Sequence, residues 1–310
     1  MKERKVKIIA TALLLILVMS LSAVSVSAAT VMPNSLAATN TSLDVDGRVY
    51  QYLKSISSKS LWNYSRLTVS IGGTTLSIKG VTINGVSYIP FRAAAAAIVG
   101  SSYSYNSSTK TATMRAPGLE IVAGDRCYVT YANGRTLFNT TPNVIMSDGR
   151  MYIPATVFAK AVGMSVDVSG SSVSLRGSYT PLISADKFYR NDEVFWLARI
   201  IHAESRGEAL IGQIAVGNVV LNRVRSAYYP NTIYGVIFDR KYGVQFSPIL
   251  DGSIYNTPGY SATLAAKICL EGYDVSQGAF FFLNVKLATS SWIPKTREYA
   301  FTIGNHDFYK

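Results

Sequence analysis

The chain has 310 residues, is 48% hydrophobic and carries a formal net charge of +12. The apolar content is too high for a disordered chain, and the length is greater than that of a typical single domain. We therefore expect two folded units, each with a hydrophobic core. The two cysteines, Cys127 and Cys269, are far apart and have no CxxC partner, which excludes a disulfide framework as the source of stability.

The N-terminus, MKERKVKIIATALLLILVMSLSAVSVSAAT, has the pattern of a secretory signal peptide. A basic segment precedes an apolar run from Ile8 to Val18, and small residues around Ala28 follow. An uncleaved anchor is the alternative, but the run is shorter than the roughly 20 residues that span a bilayer. We therefore predict that residues 1–29 are removed, that no stable membrane span remains, and that the protein is secreted.

Positive charge is concentrated in the N-terminal half of the predicted mature chain. Of the total, +3 lies in residues 1–29 and +2 from Asp186 onward, which leaves +7 for residues 30–185. Outside a bacterium, a basic surface of this kind favours anionic wall polymers as partners rather than nucleic acid. A basic surface that serves only solubility is the alternative.

Residues 30–65 begin rich in Ser, Thr and Asn and form a leader of uncertain structure. From Leu67, short alternating runs separated by Gly-Gly and Asn-Gly predict β-hairpins. An internal repeat follows, because INGVSYIPFRAAAAAIVGSSYSYNSSTKTATM returns as MSDGRMYIPATVFAKAVGMSVDVSGSSVSLRG. Each copy predicts a strand, a proline that opens a short helix, a glycine stop and a closing hairpin, so the two copies are expected to share a core.

This repeat resembles the copper amine oxidase N-terminal-like domain found on many secreted proteins of Gram-positive bacteria, over residues 66 to about 178. The resemblance implies a wall-attachment or spacer role for residues 66–180. It implies no copper site, because the segment contains no histidine.

After Pro181 and a polar linker the composition becomes more helical, so residues 181–310 form the second predicted domain. The predicted fold class is α+β, with a β-rich two-repeat N-terminal domain that contains short helices and a mainly helical C-terminal domain.

One glutamate stands out in the first helix of this second domain. Asn191 or Asp192 caps the helix, and its apolar positions recur at spacings of three and four. Glu204 continues that stripe, and Ser205-Arg206-Gly207 then ends the helix. Partial burial and the negative end of the helix both raise the pKa of a carboxyl group, toward the value that suits a general acid near neutral pH.

The next helix, about Leu210 to Arg225, is predicted to have one apolar face, on which Gly217 allows a close neighbour. Its polar side chains Gln213, Asn218 and Asn222 either line a cleft or satisfy the backbone, and we favour the second interpretation.

Four motifs in chain order carry a second resemblance: LARIIHAESRGEALIGQIAVGNVVLNRV, VQFSPILDG, GAFFFLNVKLATSSWI and IGNHDFY. Together they resemble the cell wall hydrolase family of the spore cortex-lytic enzymes, over residues 190–310. The sequence departs from the family pattern in two places, with Ser205 where Ala is more usual and Val285 where Pro commonly follows the Asn.

The resemblance implies a lysozyme-like domain that acts on peptidoglycan glycan strands in the cell wall or spore envelope of a Gram-positive bacterium, with Glu204 as the catalytic acid. No cofactor or metal is implied. Glu208 is a possible second carboxylate, although Gly207 interrupts the helix between it and Glu204. The residues expected at the substrate groove are Gln245, Phe246, Ser247, Asp251, Trp292, Asn305 and His306.

Several functions remain open at this level. The expected bond joins N-acetylmuramic acid to N-acetylglucosamine, and either water or the 6-hydroxyl of the muramic acid completes the cleavage, with the second route favoured. A metal enzyme is disfavoured because the only histidines are His202 and His306 and no H-E-x-x-H motif is present. A cysteine amidase is disfavoured because Cys269 lies in an apolar helix. A wall-binding or spore-surface protein without catalysis is the non-enzyme alternative.

Overall fold

The computed structural model describes residues 64–83, 85–125, 127–138, 144–147, 149–241, 243–284, 288 and 292–310. The predicted signal peptide and nearly all of the predicted leader lie outside the described residues. The described chain forms two compact units that divide between Phe188 and Tyr189. The first unit is rich in strands and the second in helices, so the fold class is α+β, as predicted.

Among its described residues, the N-terminal unit contains thirteen strands and three short helices. Its strands are β1 Tyr64–Ile71, β2 Thr74–Thr75, β3 Gly80–Ile83, β4 Val86–Pro90, β5 Ser102–Asn106, β6 Thr111–Ala116, β7 Leu119–Gly124, β8 Val129–Ala132, β9 Arg135–Phe138, β10 Ile145–Ser147, β11 Arg150–Pro154, β12 Ser165–Ser169 and β13 Ser172–Arg176. Its helices are α1 Phe91–Ala96, α2 Ala155–Val162 and α3 Ala185–Phe188.

Two sheets organise these strands. One has the order β10-β11-β4-β3-β1-β13-β12, with β2 paired to β1, and the other is an antiparallel meander of β5 to β9. Strands β1 and β13 pair in parallel, with Thr68 opposite Ser172, so the hairpin of β12 and β13 closes onto the first described strand. This arrangement joins the two ends of the described part of the sheet.

The internal repeat is visible as a pair of matching strands. In both copies a proline ends a strand and the helix begins at the next residue, as α1 follows Pro90 and α2 follows Pro154. Strands β4 and β11 pair antiparallel, with Ile89 opposite Ile153 and each proline opposite the tyrosine of the other copy. The predicted strand, helix and closing hairpin of each copy are therefore confirmed.

The two copies also share one core, as predicted. Phe91 of the first copy and Phe158 of the second are fully buried, and their rings meet edge to face at 6.2 Å. Counting from the two prolines, Phe91 corresponds to Ala155 and Phe158 to Ala94. Each copy therefore supplies a large side chain where the other supplies a small one, which suits close packing of the shared core.

The C-terminal unit contains five helices, two 3₁₀ turns and a small sheet among its described residues. The helices are α4 Asn191–Ser205, α5 Leu210–Arg225, α6 Ile233–Ile237, α7 Tyr260–Leu270 and α8 Trp292–Thr296. The 3₁₀ turns are Ser247–Ile249 and Ser253–Tyr255, and the strands are β14 Phe281–Leu283, β15 Tyr299–Ile303 and β16 His306–Tyr309.

Helix α5 is the centre of this unit. The sequence predicted one apolar face, and that prediction is wrong, because 13 of its 16 residues are buried, including the polar Gln213 and Asn218. A side chain at Gly217 would have its Cβ 2.8 Å from both the Sγ of Cys269 and the Cδ1 of Ile201. The absence of a side chain there lets α4 and α7 approach the same stretch of α5, which confirms the predicted close neighbour.

The small sheet at the end of the chain was not predicted. Its order is β14-β16-β15, and Phe308 on its central strand is fully buried beside Ala215, Val216 and Val219 of α5. Phe301 stacks on Phe308 with ring centroids 4.7 Å apart. The sheet therefore covers one side of the central helix. Within the described residues, every helix is too short or too polar to cross a bilayer.

Candidate active site

Glu204 is the next-to-last residue of α4, as the helical spacing predicted. Leu197, Ile200 and Ile201 on the preceding turns are fully buried, whereas Glu204 is partly accessible. Ser205, which departs from the family pattern, is buried, and its hydroxyl donates to the backbone oxygen of Ile201 at 2.7 Å. The helix thus places a carboxyl group at its C-terminal end, where the side chain is partly accessible to solvent and lies next to buried residues.

The pKa of Glu204 is raised to about 7, mainly by burial and also by the negative charge of Asp251, while Arg223 acts in the opposite direction. Burial was expected from the sequence. The effects of Asp251 and Arg223 were not, because these residues are distant along the chain. A carboxyl group of this pKa is about half protonated at neutral pH, so it can donate a proton and then accept one.

Asp251 lies in the loop between the two 3₁₀ turns and is exposed. Its Oδ1 accepts the backbone N–H of Ser253 at 2.8 Å, and Gly252 between them has a left-handed φ of 77°. This tight turn fixes the carboxylate near Glu204. Asp251, which the sequence predicted at the substrate groove, acts on the charge of Glu204, whereas Glu208, the possible second carboxylate, does not.

The predicted groove residues Gln245, Phe246 and Ser247 lead into the first 3₁₀ turn. Phe246 is buried, with the guanidinium carbon of Arg223 5.1 Å from its ring centroid. Gln245 is partly accessible, and its Nε2 donates to the oxygen of Gly243 at 3.0 Å. Ser247 is partly accessible and accepts the N–H of Leu250 through its backbone oxygen. Phe246 is therefore a supporting side chain, and Gln245 and Ser247 remain available at the surface.

Trp292 begins α8 and is partly buried. Its ring lies edge to face with Phe281 at 6.4 Å, and the guanidinium carbon of Arg297 lies 5.0 Å from its centroid. The ring thus contacts two side chains and is only partly accessible. Val285, the second departure from the family pattern, lies outside the described residues.

Glu208, Asn305 and His306 form a separate cluster, which we call the Glu208 cluster. The carboxylate of Glu208 is buried and accepts two hydrogen bonds from Asn305, from the backbone N–H at 3.2 Å and from Nδ2 at 2.9 Å. Nδ1 of His306 is 3.7 Å from Oε1 of Glu208. Gly304, with a φ of 60°, leaves room for the carboxylate, since a Cβ there would overlap it.

The Glu208 cluster joins the loop after α4 to the turn between β15 and β16. The polar groups of Asn305 and His306, two of the predicted groove residues, are directed at Glu208. None of these three residues contributes to the pKa shift of Glu204. Burial lowers the pKa of His306, against the attraction of Glu208. This geometry fits a structural anchor better than a second catalytic carboxylate.

Replacing Glu208 with Ala is expected to lower the free energy of unfolding by about 2 kcal/mol, because the Asn305 donors lose a charged acceptor. Glycan cleavage well below the unfolding transition is expected to persist. Urea denaturation and a cleavage assay on the same preparations measure both. Glu298→Ala, which removes a carboxylate that is 75% exposed, is the matched control and is expected to change stability by less than about 0.5 kcal/mol. Unchanged stability together with lost cleavage would contradict the anchor role.

The polar residues of α5 satisfy backbone groups, as the favoured interpretation predicted. Nε2 of Gln213 donates to the oxygen of Glu208 at 2.9 Å. Asn218 donates to the oxygen of Tyr273 at 2.9 Å and accepts the N–H of Val275 at 3.0 Å. Asn222 donates to the Oγ of Ser276 and the oxygen of Ala279. These bonds hold the segment 273–280 along the central helix.

The histidine of α4 and the cysteine of α7 also have structural contacts. Nδ1 of His202 accepts the N–H of Gly259 at 3.2 Å, and burial lowers the pKa of this imidazole. The Sγ of Cys269 is buried and donates to the oxygen of Ile214, and burial raises the pKa of the thiol far above its usual range. A thiolate nucleophile at Cys269 is therefore disfavoured. In the described part of the chain, no three His, Cys, Asp or Glu side chains group as metal ligands would.

Sequence reasoning missed Arg223. This residue lies in the last turn of α5, is 5% exposed, and its charge acts on Glu204. The only signal in the sequence was an arginine near the end of an otherwise apolar helix. This signal is weak, because an arginine side chain usually extends to solvent.

Comparison with known protein families identifies two matching regions. Residues 207–309 match the family described as Cell Wall Hydrolase. Residues 70–176 match the family described as Copper amine oxidase N-terminal domain. Glu204 lies just before the first of these ranges, so the role proposed for it depends on the geometry above.

Similar proteins match the C-terminal part of the chain. The spore cortex-lytic enzyme of Bacillus cereus is 41% identical over 122 residues, which cover 39% of this chain and 46% of that protein. The spore cortex-lytic enzyme of Oceanobacillus iheyensis is 37% identical over 142 residues, which cover 46% of this chain and 50% of that protein. The chain thus spans about half the length of these curated relatives.

Among solved structures, the chain is similar to the catalytic domain of the germination-specific lytic transglycosylase SleB from Bacillus anthracis. It is 41% identical, and the match covers 39% of this chain and 97% of that domain with a TM-score of 0.36. The similarity in sequence is the informative part of this comparison.

Proposed function

The chain carries a cell wall hydrolase domain over residues 207–309, preceded by a copper amine oxidase N-terminal domain over residues 70–176, and from this we propose that it is an enzyme that cleaves peptidoglycan glycan strands. One observation carries the proposal. Glu204 is a partly accessible carboxyl group whose pKa is about 7, beside a second carboxylate on a fixed turn. Those are the properties of a general acid that works at neutral pH.

In the first step, Glu204 donates its proton to the oxygen that joins N-acetylmuramic acid to N-acetylglucosamine. The bond between that oxygen and C1 of the muramic acid breaks, its electron pair stays on the departing oxygen, and positive charge develops on the sugar ring. Asp251 carries a negative charge that acts on Glu204, and in this proposal it also favours the developing positive charge.

In the second step, the 6-hydroxyl oxygen of the same muramic acid forms a bond to C1, and the Glu204 carboxylate takes the hydroxyl proton. The product is a 1,6-anhydro end, no water is consumed, and Glu204 returns to its protonated form. Attack by water would instead give hydrolysis. We favour the internal route because it needs a single carboxyl group that alternates between acid and base, and because a hydroxyl held in the substrate has a large entropic advantage.

The names of the relatives point to the spore cortex as the substrate, and we extend that substrate to this chain as part of the proposal. Gln245, Ser247 and Trp292 are accessible enough to contact the glycan, and Trp292 offers a ring face suited to a sugar. Secretion to the wall or spore envelope, and attachment of the basic N-terminal unit to anionic wall polymers, stay predictions from the sequence.

Mass spectrometry of the products from purified cortex and from vegetative sacculi tests the proposal. We expect muropeptides that end in 1,6-anhydromuramic acid, more from cortex than from vegetative wall. Products heavier by one water would replace the internal route with hydrolysis. If the purified protein binds sacculi but releases no fragments from either source, the non-catalytic wall-binding alternative is favoured.

A further inference from the structure

Five aromatic side chains form a cluster on the surface of the C-terminal unit, which we call the Trp196 cluster. They come from α4, from α6 with the residue that ends it, and from the second 3₁₀ turn, and they are Phe195, Trp196, Tyr234, Phe238 and Tyr255. Trp196 is the central ring and contacts the other four edge to face, at centroid distances of 4.9 to 6.4 Å. Both α6 and the second 3₁₀ turn pack on α4, so the cluster joins three elements.

The outer rings of the Trp196 cluster are exposed to solvent. Phe195 is 48% exposed, Tyr234 is 53% exposed and Tyr255 is 61% exposed, whereas the central Trp196 is partly accessible. Aromatic rings stabilise a fold mainly by leaving water, so rings that meet one another and still remain in water contribute less than they could. A contiguous apolar surface of this kind marks a place where a ligand or a partner binds.

Arg199 holds the cluster in a fixed arrangement. Its Nη1 donates to the backbone oxygen of Asn256 at 2.8 Å and to that of Ile254 at 3.4 Å, which joins α4 to the second 3₁₀ turn. The guanidinium carbon of Arg199 also lies 4.2 Å from the ring centroid of Phe195. Because the rings are held in place before a ligand arrives, binding on them costs little side-chain freedom.

The position of the cluster on α4 indicates what covers it. Trp196 lies eight residues before Glu204 in the same helix, which is about 12 Å along the helix axis. The proposed substrate is a polymer, so a strand whose cleaved bond is at Glu204 continues across the neighbouring surface. Aromatic rings match the apolar C–H faces of sugars, and the hydroxyl groups of Tyr234 and Tyr255 are suited to bonds with sugar hydroxyls.

We infer that the Trp196 cluster is a second glycan-binding surface, on which sugar units remote from the cleaved bond stack while their strand occupies the site at Glu204. This role rests on the proposed function, because the ligand is the same glycan strand. Contact with the remote units helps to hold the reacting bond at the acid, so its benefit is expected to appear only on strands long enough to reach the cluster.

The double variant Tyr234→Ala/Tyr255→Ala removes two exposed rings that belong to different elements. The measurement is kcat/KM on glycan strands freed from cortex by a peptide-cleaving enzyme and separated by length. We expect a loss of about tenfold on long strands and a much smaller loss on the shortest strand that is cleaved. An equal loss at every length, or no loss on long strands, would overturn the inference.

Two further variants serve as controls for the double variant. Tyr234→Phe/Tyr255→Phe keeps both rings and is expected to keep most of the dependence of kcat/KM on strand length. Tyr228→Ala removes a tyrosine that is 86% exposed and is not a member of the cluster, and we expect native rates from it at every length. A length dependence lost in Tyr228→Ala as well would contradict a role specific to the cluster.

Tyrosine nitration tests the same surface without any substitution in the cluster, in case the alanine variant does not fold. In Glu204→Gln, long glycan strands are expected to slow the nitration of Tyr234 and Tyr255 but not that of Tyr228, as measured by mass spectrometry of the peptides. Absence of this protection overturns the inference. Slow nitration of Tyr234 and Tyr255 before glycan is added also overturns it, because a second copy or another segment of the chain then covers the cluster.

Failure of this inference and failure of the proposed function give different results. Nitration reports binding, so protection of Tyr234 and Tyr255 can be found even if product analysis detects no cleavage. Anhydro products from the native protein, together with an unchanged length dependence in Tyr234→Ala/Tyr255→Ala, would reject the second glycan-binding surface and leave the proposed function standing.

Discussion

Replacing Glu204 with Gln is expected to lower the rate of glycan-strand cleavage by about 10³-fold, because the amide has nearly the same shape but no proton to donate. The rate is measured as the release of soluble muropeptides from sacculi. Binding is measured by pelleting the protein with sacculi, and we expect it to be unchanged, since the substitution leaves the accessible surface of the site nearly intact.

Glu193→Gln is the matched control for this loss. It is the same substitution near the other end of α4, on a side chain that is 39% exposed, and we expect native activity from it. A Glu204→Gln variant that digests sacculi as fast as the native protein would falsify the assignment of the acid. A variant that loses both cleavage and sacculus binding would point instead to a damaged site.

The same substitution is expected to make the stability of the protein less dependent on pH. The pKa of Glu204 is about 7 in the folded chain against a usual value of 4.5, so the folded state binds the proton more tightly than the unfolded state. The stabilisation from this proton is complete below about pH 4.5 and is lost as the pH rises through about 7. By linkage, the loss reaches about 3 kcal/mol by pH 8.

Urea denaturation gives the free energy of unfolding of the native protein and of Glu204→Gln at pH 4.5 and at pH 8. The effect is the change, between the two pH values, in the difference between the two proteins. The gain in stability of the variant relative to the native protein is expected at pH 8 and not at pH 4.5. Other groups that titrate in this window, such as His202 and His306, cancel because both proteins contain them. Equal differences at the two pH values would mean that the Glu204 carboxyl group titrates normally and is not sheltered by the fold.

These two outcomes together describe a compromise between stability and activity. A carboxyl group that is costly to ionise in the folded protein destabilises that protein at neutral pH, and the same cost makes it an effective proton donor there. Helix α4 therefore carries a residue whose ionisation lowers the stability of the fold around it. Helix α5 packs against α4 at Gly217, and the Glu208 cluster anchors the segment that follows α4.

Local patterns in the sequence were sufficient to predict the helices and strands described above for Glu204 and for the internal repeat. Apolar residues at spacings of three and four placed Glu204 at the end of a helix, because helical geometry is determined by near neighbours along the chain. The repeated Tyr-Ile-Pro motif predicted the two matched strands and helices, since proline starts a helix and cannot continue a strand. The cell wall hydrolase resemblance was likewise available from four short motifs.

Contacts between segments that are distant along the chain could not be predicted from such local patterns. Glu208 meets Asn305 at a separation of 97 residues, and Arg223 meets Phe280 at 57. The burial of α5 on nearly all sides depends on β14 to β16, whose short strands of mixed exposure gave no clear alternation in the sequence.

By itself, the sequence predicted Glu204 as the acid and determined the helix that presents it, because the spacing of apolar residues defines that helix. Only the tertiary structure decided which charges act on Glu204, and that the nearby carboxylate of Glu208 is engaged by Asn305. The physical reason is that electrostatic effects depend on distances through space, and the loops at Asp251 and Asn305 determine those distances by folding back onto α4 and the segment that follows it.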